Sequence, residues 1–278
     1  MMDTAMQFLA AIATWSMPAF AALLLLVQIL AREVGYWFGR RTARKQGGEG
    51  EGVNVMVGAM LGLLAFVLAL TLSFANARFG ERRAGTLAEA NAIGTAWLRA
   101  EAVGGPRASE IMHLLEGYAR VRAEFVRAPL DPDIIGAADR QTGELQQKIW
   151  EQISALVRER ADPVTVSLMS AVNDTFDAST AQRFAYAFTL PGRLVGLLIG
   201  LALLSMAALG FQLGLRDNPL RVLGAVLTVM WTVIILSILD LGASRIGALR
   251  TSAAVYEWTI DSFQTAPKLP SPPRTPLP

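Results

Sequence analysis

Cysteine is absent from the 278 residues, and histidine occurs once, at His113. The first absence excludes a disulfide framework, a thiolate nucleophile and any Cys-ligated metal. The second removes the imidazoles that a multi-His metal site or a His-based catalytic triad would need. Charge is scarce as well: 17% of residues are charged, against roughly 25% in an ordinary soluble domain. The net charge of +2 is too small to argue for a nucleic-acid partner. No phosphate-cradling glycine loop, nucleophile–base pair or metal-ligand cluster stands out, so the sequence points away from an enzyme and implies no cofactor and no metal.

What is present is apolar, 53% of the chain, and it is concentrated in four runs. The first is Phe8 to Ala31, interrupted by Pro18, which kinks the run or marks its ordered start. The second, Val53 to Ala75, carries no charge. The third is roughly Leu194 to Leu213 and the fourth roughly Val222 to Leu239. Each is long enough to cross a hydrocarbon layer of about 30 Å as a helix. A cleaved signal peptide is disfavoured for the first run, because MMDTAMQ lacks a basic start and the run is too long. Four spans place both termini on one side. Arg32 to Gly52 reads as a polar loop closing on GGEGEG, and its Arg32, Arg40, Arg41, Arg44 and Lys45 favour that loop as cytoplasmic.

Between the second and third spans the pattern is helical throughout. Gly104-Gly105-Pro106 and Pro129-Leu130-Asp131-Pro132-Asp133 are breaks. Between them Ile111, Leu114, Leu115, Tyr118, Arg122 and Phe125 follow helical spacing. Leu145, Ile149, Ile153, Leu156 and Val157 form the next stripe. Asp162-Pro163 is an N-cap and first-turn pair opening a helix through Val166, Met169, Val172 and Phe176, and a further stretch, Ala181 to Phe188, leads to the third span. No useful length alternates with strand period, so the expected class is all-α. The expected organisation is residues 1–75 as two spans and a basic loop, and 76–190 as a helical extramembrane domain inserted between spans two and three. Residues 191–265 then hold two spans and a C-terminal helix, and 266–278 form a disordered proline-rich tail. From Pro267 to Pro278 the tail is half proline and reads as an extended, solvated end with PxxP spacings.

The junction after span two is the most informative part. FANARFGERRAGTLAEANAIGTAWLRAE follows without a proline, so the spanning helix is expected to continue into a charged one. Arg78, Arg82 and Glu89 share one face of it, Asn76 and Arg83 another, and Ile93, Trp97 and Ala100 form an apolar stripe. Asn91 aligns with Leu87, Gly94 and Leu98, an interface in which its amide is expected to find a partner. Glu81, Glu89 and Glu101 are available to pair with Arg78, Arg82 and Arg99. Two readings stand for these charges and for Asp240 at the end of span four, which Arg245 or an arginine of the span-two extension is placed to neutralise. They are an interfacial anchoring network, or an ion path at a pore mouth. Glycines one turn apart, at Gly58 and Gly62, at Gly192, Gly196 and Gly200, and at Gly210 and Gly214, make flat stripes for close helix contact within or between chains. His113, between the apolar stripe and the polar face of its helix, reads as a structural or exposed histidine, and the Asn173, Asp174, Asp177 cluster as helix-surface residues.

These motifs carry a resemblance. Residues 63–101, with Arg78-Phe79, Glu81-Arg82-Arg83, Glu89-Ala90-Asn91-Ala92-Ile93-Gly94-Thr95 and Leu98-Arg99, resemble the signature of the bacterial bestrophin-like domain family. Asn173, Arg183, Pro191, Asp240-Leu241, Arg245 and Gly247 match in order, so the likeness spans about Val53 to Phe263. Where the family often has Asp-Arg-Pro-Arg, this chain has Gly242-Ala243-Ser244-Arg245, and no acidic run resembles a calcium clasp. The resemblance implies a multi-pass protein of the bacterial plasma membrane. Through the bestrophins proper it implies a homo-oligomeric ion channel with span two along the path. A non-conducting membrane scaffold or sensor, whose helical domain binds another protein, is the alternative.

Overall fold

In the computed structural model, residues 17–46, 51–187, 190–217, 220–245 and 247–265 are described, and all regular structure among them is helical. The helices are α1 (Met17–Gln46), α2 (Glu51–Val103), α3 (Pro106–Arg127), α4 (Pro132–Glu159), α5 (Pro163–Ala187), α6 (Gly192–Leu215), α7 (Arg221–Gly242) and α8 (Ala254–Thr265). Four helical stretches are long and apolar enough to cross a membrane; they contain the second, third and fourth runs read from the sequence and the part of the first from Met17 to Ala31. Residues 1–16, 47–50 and the proline-rich tail lie outside the described residues.

Two expectations are corrected. Arg32 to Gln46 is not a loop: α1 runs through it, and α2 starts at Glu51. The stretch lacks proline, alternates arginines with apolar residues, and ends on Arg44 and Lys45, where cations suit the negative end of the helix dipole. Polarity was mistaken for a break. Likewise, Ala181 to Phe188 is not a separate helix; α5 is continuous from Pro163 to Ala187, since nothing between Asp162 and Ala187 interrupts its backbone bonding.

The other breaks fall where they were expected. Gly104 and Gly105 take φ of 68° and 88°, a region open to glycine at little cost. Pro106 then starts α3 in a position where its missing N–H costs nothing. Asp131 caps α4 by accepting from the N–H groups of Asp133 and Ile134. Asp162 caps α5 by accepting from Thr165 N at 2.8 Å. That bond and the Arg160 guanidinium beside it hold the Asp162 carboxyl at about 2, below its usual 3.8. A depressed carboxylate stabilises the fold above its unfolded pKa and loses that contribution as pH falls through the folded one. Asp162→Ala should therefore lower the melting midpoint at pH 7, and the difference from wild type should vanish near pH 2 in a thermal melt.

The chain divides into two compact units, one of Met1–Phe79 with Thr189–Leu249 and one of Gly80–Phe188 with Arg250–Pro278. Residues 250–265, grouped with spans three and four on sequence grounds, thus belong with the second unit. The first unit buries Phe20 and Leu24 of α1, Leu64 and Leu68 of α2, Leu198 and Met206 of α6, and Ile235 and Ile238 of α7. α1 and α6 run parallel and touch backbone to backbone: a side chain on Gly35 or Gly39 would strike the carbonyl of Ala207 or Phe211, and one on Gly210 or Gly214 that of Arg32 or Tyr36. α7 crosses α1 in the opposite sense, with Gln28 Nε2 donating to Thr232 Oγ1 at 2.8 Å and Arg32 lying against Gly224. The glycine pair at 210 and 214 thus packs within the chain, whereas Gly58 and Gly62 face open space.

The second unit has a core of its own. Ile93 and Trp97 of α2, Ile111 and Leu115 of α3, Ile149 and Ile153 of α4, and Leu168 and Val172 of α5 are all buried. Each such side chain contributes about 1.5–3 kcal/mol on burial. α8 closes it, with Phe263 stacked on Trp97 at a centroid distance of 4.8 Å.

Candidate functional site

The second unit holds a buried charge network. Glu89, on α2, and Arg122, on α3, are 0% and 1% exposed. The Arg122 Nε donates to Glu89 Oε1 at 2.5 Å, and its Nη2 donates to Oε2 at 3.3 Å. Tyr256 of α8 donates its hydroxyl to Glu89 Oε2 at 2.6 Å. One carboxylate therefore receives a two-pronged guanidinium and a phenol, from helices 33 and 167 residues away in sequence. Charge-assisted bonds of this kind are about twice as strong as neutral ones. The Arg122 guanidinium also lies 4.4 Å from the centroid of the Phe125 ring, which in turn meets Tyr186 edge-on at 5.5 Å.

Protonation follows from this geometry. Burial alone would lower the Arg122 pKa, but the Glu89 charge and hydrogen bonds raise it above its ordinary value. Burial and then the Glu89 charge push Tyr256 well above the usual phenol range, and burial and Glu89 raise Tyr118 as well. The phenols thus stay neutral donors and acceptors. Tyr118 accepts from Gln146 Nε2 at 3.1 Å, and the same amide nitrogen lies 3.1 Å from Ser179 Oγ.

A second joint fixes α5 to α2. Gln182 donates to the Arg82 carbonyl at 3.1 Å and to Thr86 Oγ1 at 2.5 Å. It fits because position 85 is glycine; a Cβ there would collide with the Gln182 carbonyl oxygen. Gly85→Ala should displace Gln182 and slow folding or lower the melting temperature, whereas Gly80→Ala, in open space, should not; paired thermal melts distinguish them.

The residues singled out from the sequence separate into three groups. Arg82 and Glu89 are buried, so the face they share turns into the helical core rather than toward solvent. Asn76, Glu81, Arg83 and Asn91 are exposed, and Arg78 is partly so, its guanidinium 5.1 Å from the centroid of the Phe74 ring. Asn91 was expected to be a buried amide; instead its face, with Leu87 at 50% and Leu98 at 57% exposure, is uncovered within the chain. In the first unit, Asp240 Oδ1 accepts from Leu249 N at 3.2 Å and sits against Gly247, whose φ of 90° and crowding exclude a side chain. Asp240 thereby shapes the turn after α7. Arg245 is buried in the same turn.

Arg122, Tyr256 and Gln182 were not singled out. Arg122 carried a visible signal, an arginine on an otherwise apolar stripe. The other two carried none, because their partners are remote in sequence. Exposed positions are also settled: His113, Asn173, Asp174 and Asp177 all face outward. Among the described residues no three His, Cys, Asp or Glu side chains are grouped to hold a metal ion. The network ties α2, α3 and α8 together through the one Glu89 carboxylate, which accepts from both Arg122 and Tyr256.

No protein-family model, curated protein or solved structure matches this chain.

Proposed function

We propose that the chain is a multi-pass protein of the bacterial plasma membrane, similar to bestrophin-like proteins, that assembles as a homo-oligomeric ion channel with the exposed face of α2 along the path. In this reading α1, the first part of α2, α6 and α7 span the bilayer, and the second unit, made of the segment inserted between spans two and three together with α8 after span four, is the extramembrane domain. The supporting observation is one stripe of α2. Gly58, Gly62, Ala65, Ala69, Ser73, Asn76, Gly80 and Arg83 recur at three- and four-residue steps on one side of the helix, and every one is exposed. Helix geometry keeps such positions in one narrow band. A lipid-facing band would gain nothing from being small and increasingly polar, whereas large apolar residues such as Leu63, Phe66 and Leu70 occupy the neighbouring exposed positions. Small residues let copies approach closely, and Ser73, Asn76 and Arg83 then offer dipoles and charge to a permeant ion.

The test is ion flux into liposomes from protein of known oligomeric state. Asn76→Ala and Arg83→Ala should change ion selectivity, and Ala69→Trp should abolish flux while leaving the fold intact. No flux from a demonstrated oligomer would reject the channel reading. It would leave the membrane scaffold, for which Trp258, 67% exposed on α8 of the polar unit, offers a docking point for another protein.

A further inference from the structure

The first unit carries a groove of about 450 Å³ between α1, α2 and α6, and every residue lining it is apolar or glycine. Val34 and Phe38 of α1, Met56 and Met60 of α2, and Ala208 and Phe211 of α6 form its walls. Its size is that of an ordinary small-molecule site, but such sites add a few polar groups to fix a ligand's orientation, and this one has none inside. Val34, Phe38 and Met56 are each more than half exposed, so the groove opens outward from the helices.

The polar groups stand at one end. Beyond Phe38, the next positions on the same side of α1 are Arg41, Thr42 and Lys45, three, four and seven residues on, and the two cations among them are exposed. The Arg41 guanidinium lies 5.5 Å from the centroid of the Trp37 ring, an aromatic residue of the kind that settles at the headgroup level. At the same end the Gln212 amide donates to Asn54 Oδ1 at 2.7 Å, and Tyr36 and Arg40 both bond to Asp217 at 3.1 and 3.0 Å. Arg40 is thus engaged, while Arg44 projects from a different side of α1. An apolar slot that ends at two cations matches one chemistry, a hydrocarbon chain attached to an anionic head.

We propose that this groove is a binding site for an anionic phospholipid, one acyl chain lying along Phe38, Met60 and Phe211 and the phosphate held by Arg41 and Lys45. The inference rests on the membrane reading but not on ion conduction. Basic residues just beyond a span attract anionic headgroups, and the hydrocarbon slot converts that general attraction into a defined position.

The test uses full-length protein in nanodiscs of equal phosphatidylglycerol and phosphatidylcholine, released into mild detergent and weighed by native mass spectrometry. Wild type should retain phosphatidylglycerol over phosphatidylcholine by at least about tenfold, the order expected from two cations near an anionic surface. Arg41→Gln with Lys45→Gln should bring the ratio close to one, Arg44→Gln should leave it within about twofold of wild type, and Ala208→Trp should reduce retention of both lipids. Size-exclusion profiles confirm that each variant is folded. Equal retention by wild type, or a preference that survives Arg41→Gln with Lys45→Gln, overturns the proposal. Recovery of wild type from the aqueous fraction overturns the membrane reading itself, so the two failures are distinguishable.

Discussion

Arg122→Leu should destabilise the second unit by about 3–5 kcal/mol, the cost of leaving a buried carboxylate without its cation. Glu89 would retain only the Tyr256 hydroxyl, at a position with no access to water. Replacing both partners, Glu89→Leu with Arg122→Leu, should recover most of that loss, because a well-packed apolar pair is often as stable as a buried ion pair. The comparison separates the charge from the shape. Tyr256→Phe removes one charge-assisted bond and should cost about 1.5–3 kcal/mol. It should also change the alkaline limb. A phenol whose folded pKa lies above its ordinary 10.0 stabilises the fold below pH 10 and loses that contribution as pH rises through the folded pKa. Wild type should therefore lose stability above pH 10 more steeply than Tyr256→Phe. Thermal unfolding in detergent, followed by far-ultraviolet circular dichroism, reads all of these. As a comparison, Arg127→Leu breaks only a half-exposed pair with Glu257, and such pairs contribute at most about 1 kcal/mol.

The second large effect concerns the contact of α1 with α6. Gly35, Gly39, Gly210 and Gly214 are the positions where backbones touch, and a Cβ at any of them meets a carbonyl group rather than a movable side-chain end. Carbonyls in a helix cannot step aside without breaking its ladder, so the helices must separate. Forcing extra carbon into a packed contact costs about 1–3 kcal/mol. A leucine adds the loss of dispersion along the whole seam. Gly210→Leu should abolish a monodisperse peak on size exclusion in detergent. Gly62→Leu, in open space within the chain, should leave the folded chain intact and act only on association between copies. Equal damage from the two substitutions would remove the seam from the account.

Much of this architecture was legible because helix signals are local. The apolar runs, the glycine pair at 104 and 105, the break at 129–133, the capping aspartate at 162, and the unbroken course of α2 all depend on residues within a few positions of one another. The misreadings also have a local cause. Arg32 to Gln46 looked like a loop because polarity was weighed above the absence of any helix breaker, and this hid Gly35 and Gly39, whose spacing repeats that of Gly210 and Gly214. The site was less legible because its pairings are not local. Helical spacing placed Glu89 beside Arg82 on one face of α2 but could not say that this face turns inward toward Arg122 and Tyr256. The same limit applied to Asn91. Its alignment with Leu87 and Leu98 was correct, but an apolar stripe alone does not show whether the chain covers it or another copy does.

That last point carries the central claim, that the small-residue stripe of α2 lies where copies of the chain meet. With no native cysteine, single cysteines can be placed on α2 without background. Cysteines at Ala69 and Asn76 should cross-link between copies on mild oxidation in native membranes, while one at Phe66, on a neighbouring exposed side, should not. Cross-linking at Phe66, with none at Ala69 or Asn76, would contradict the account.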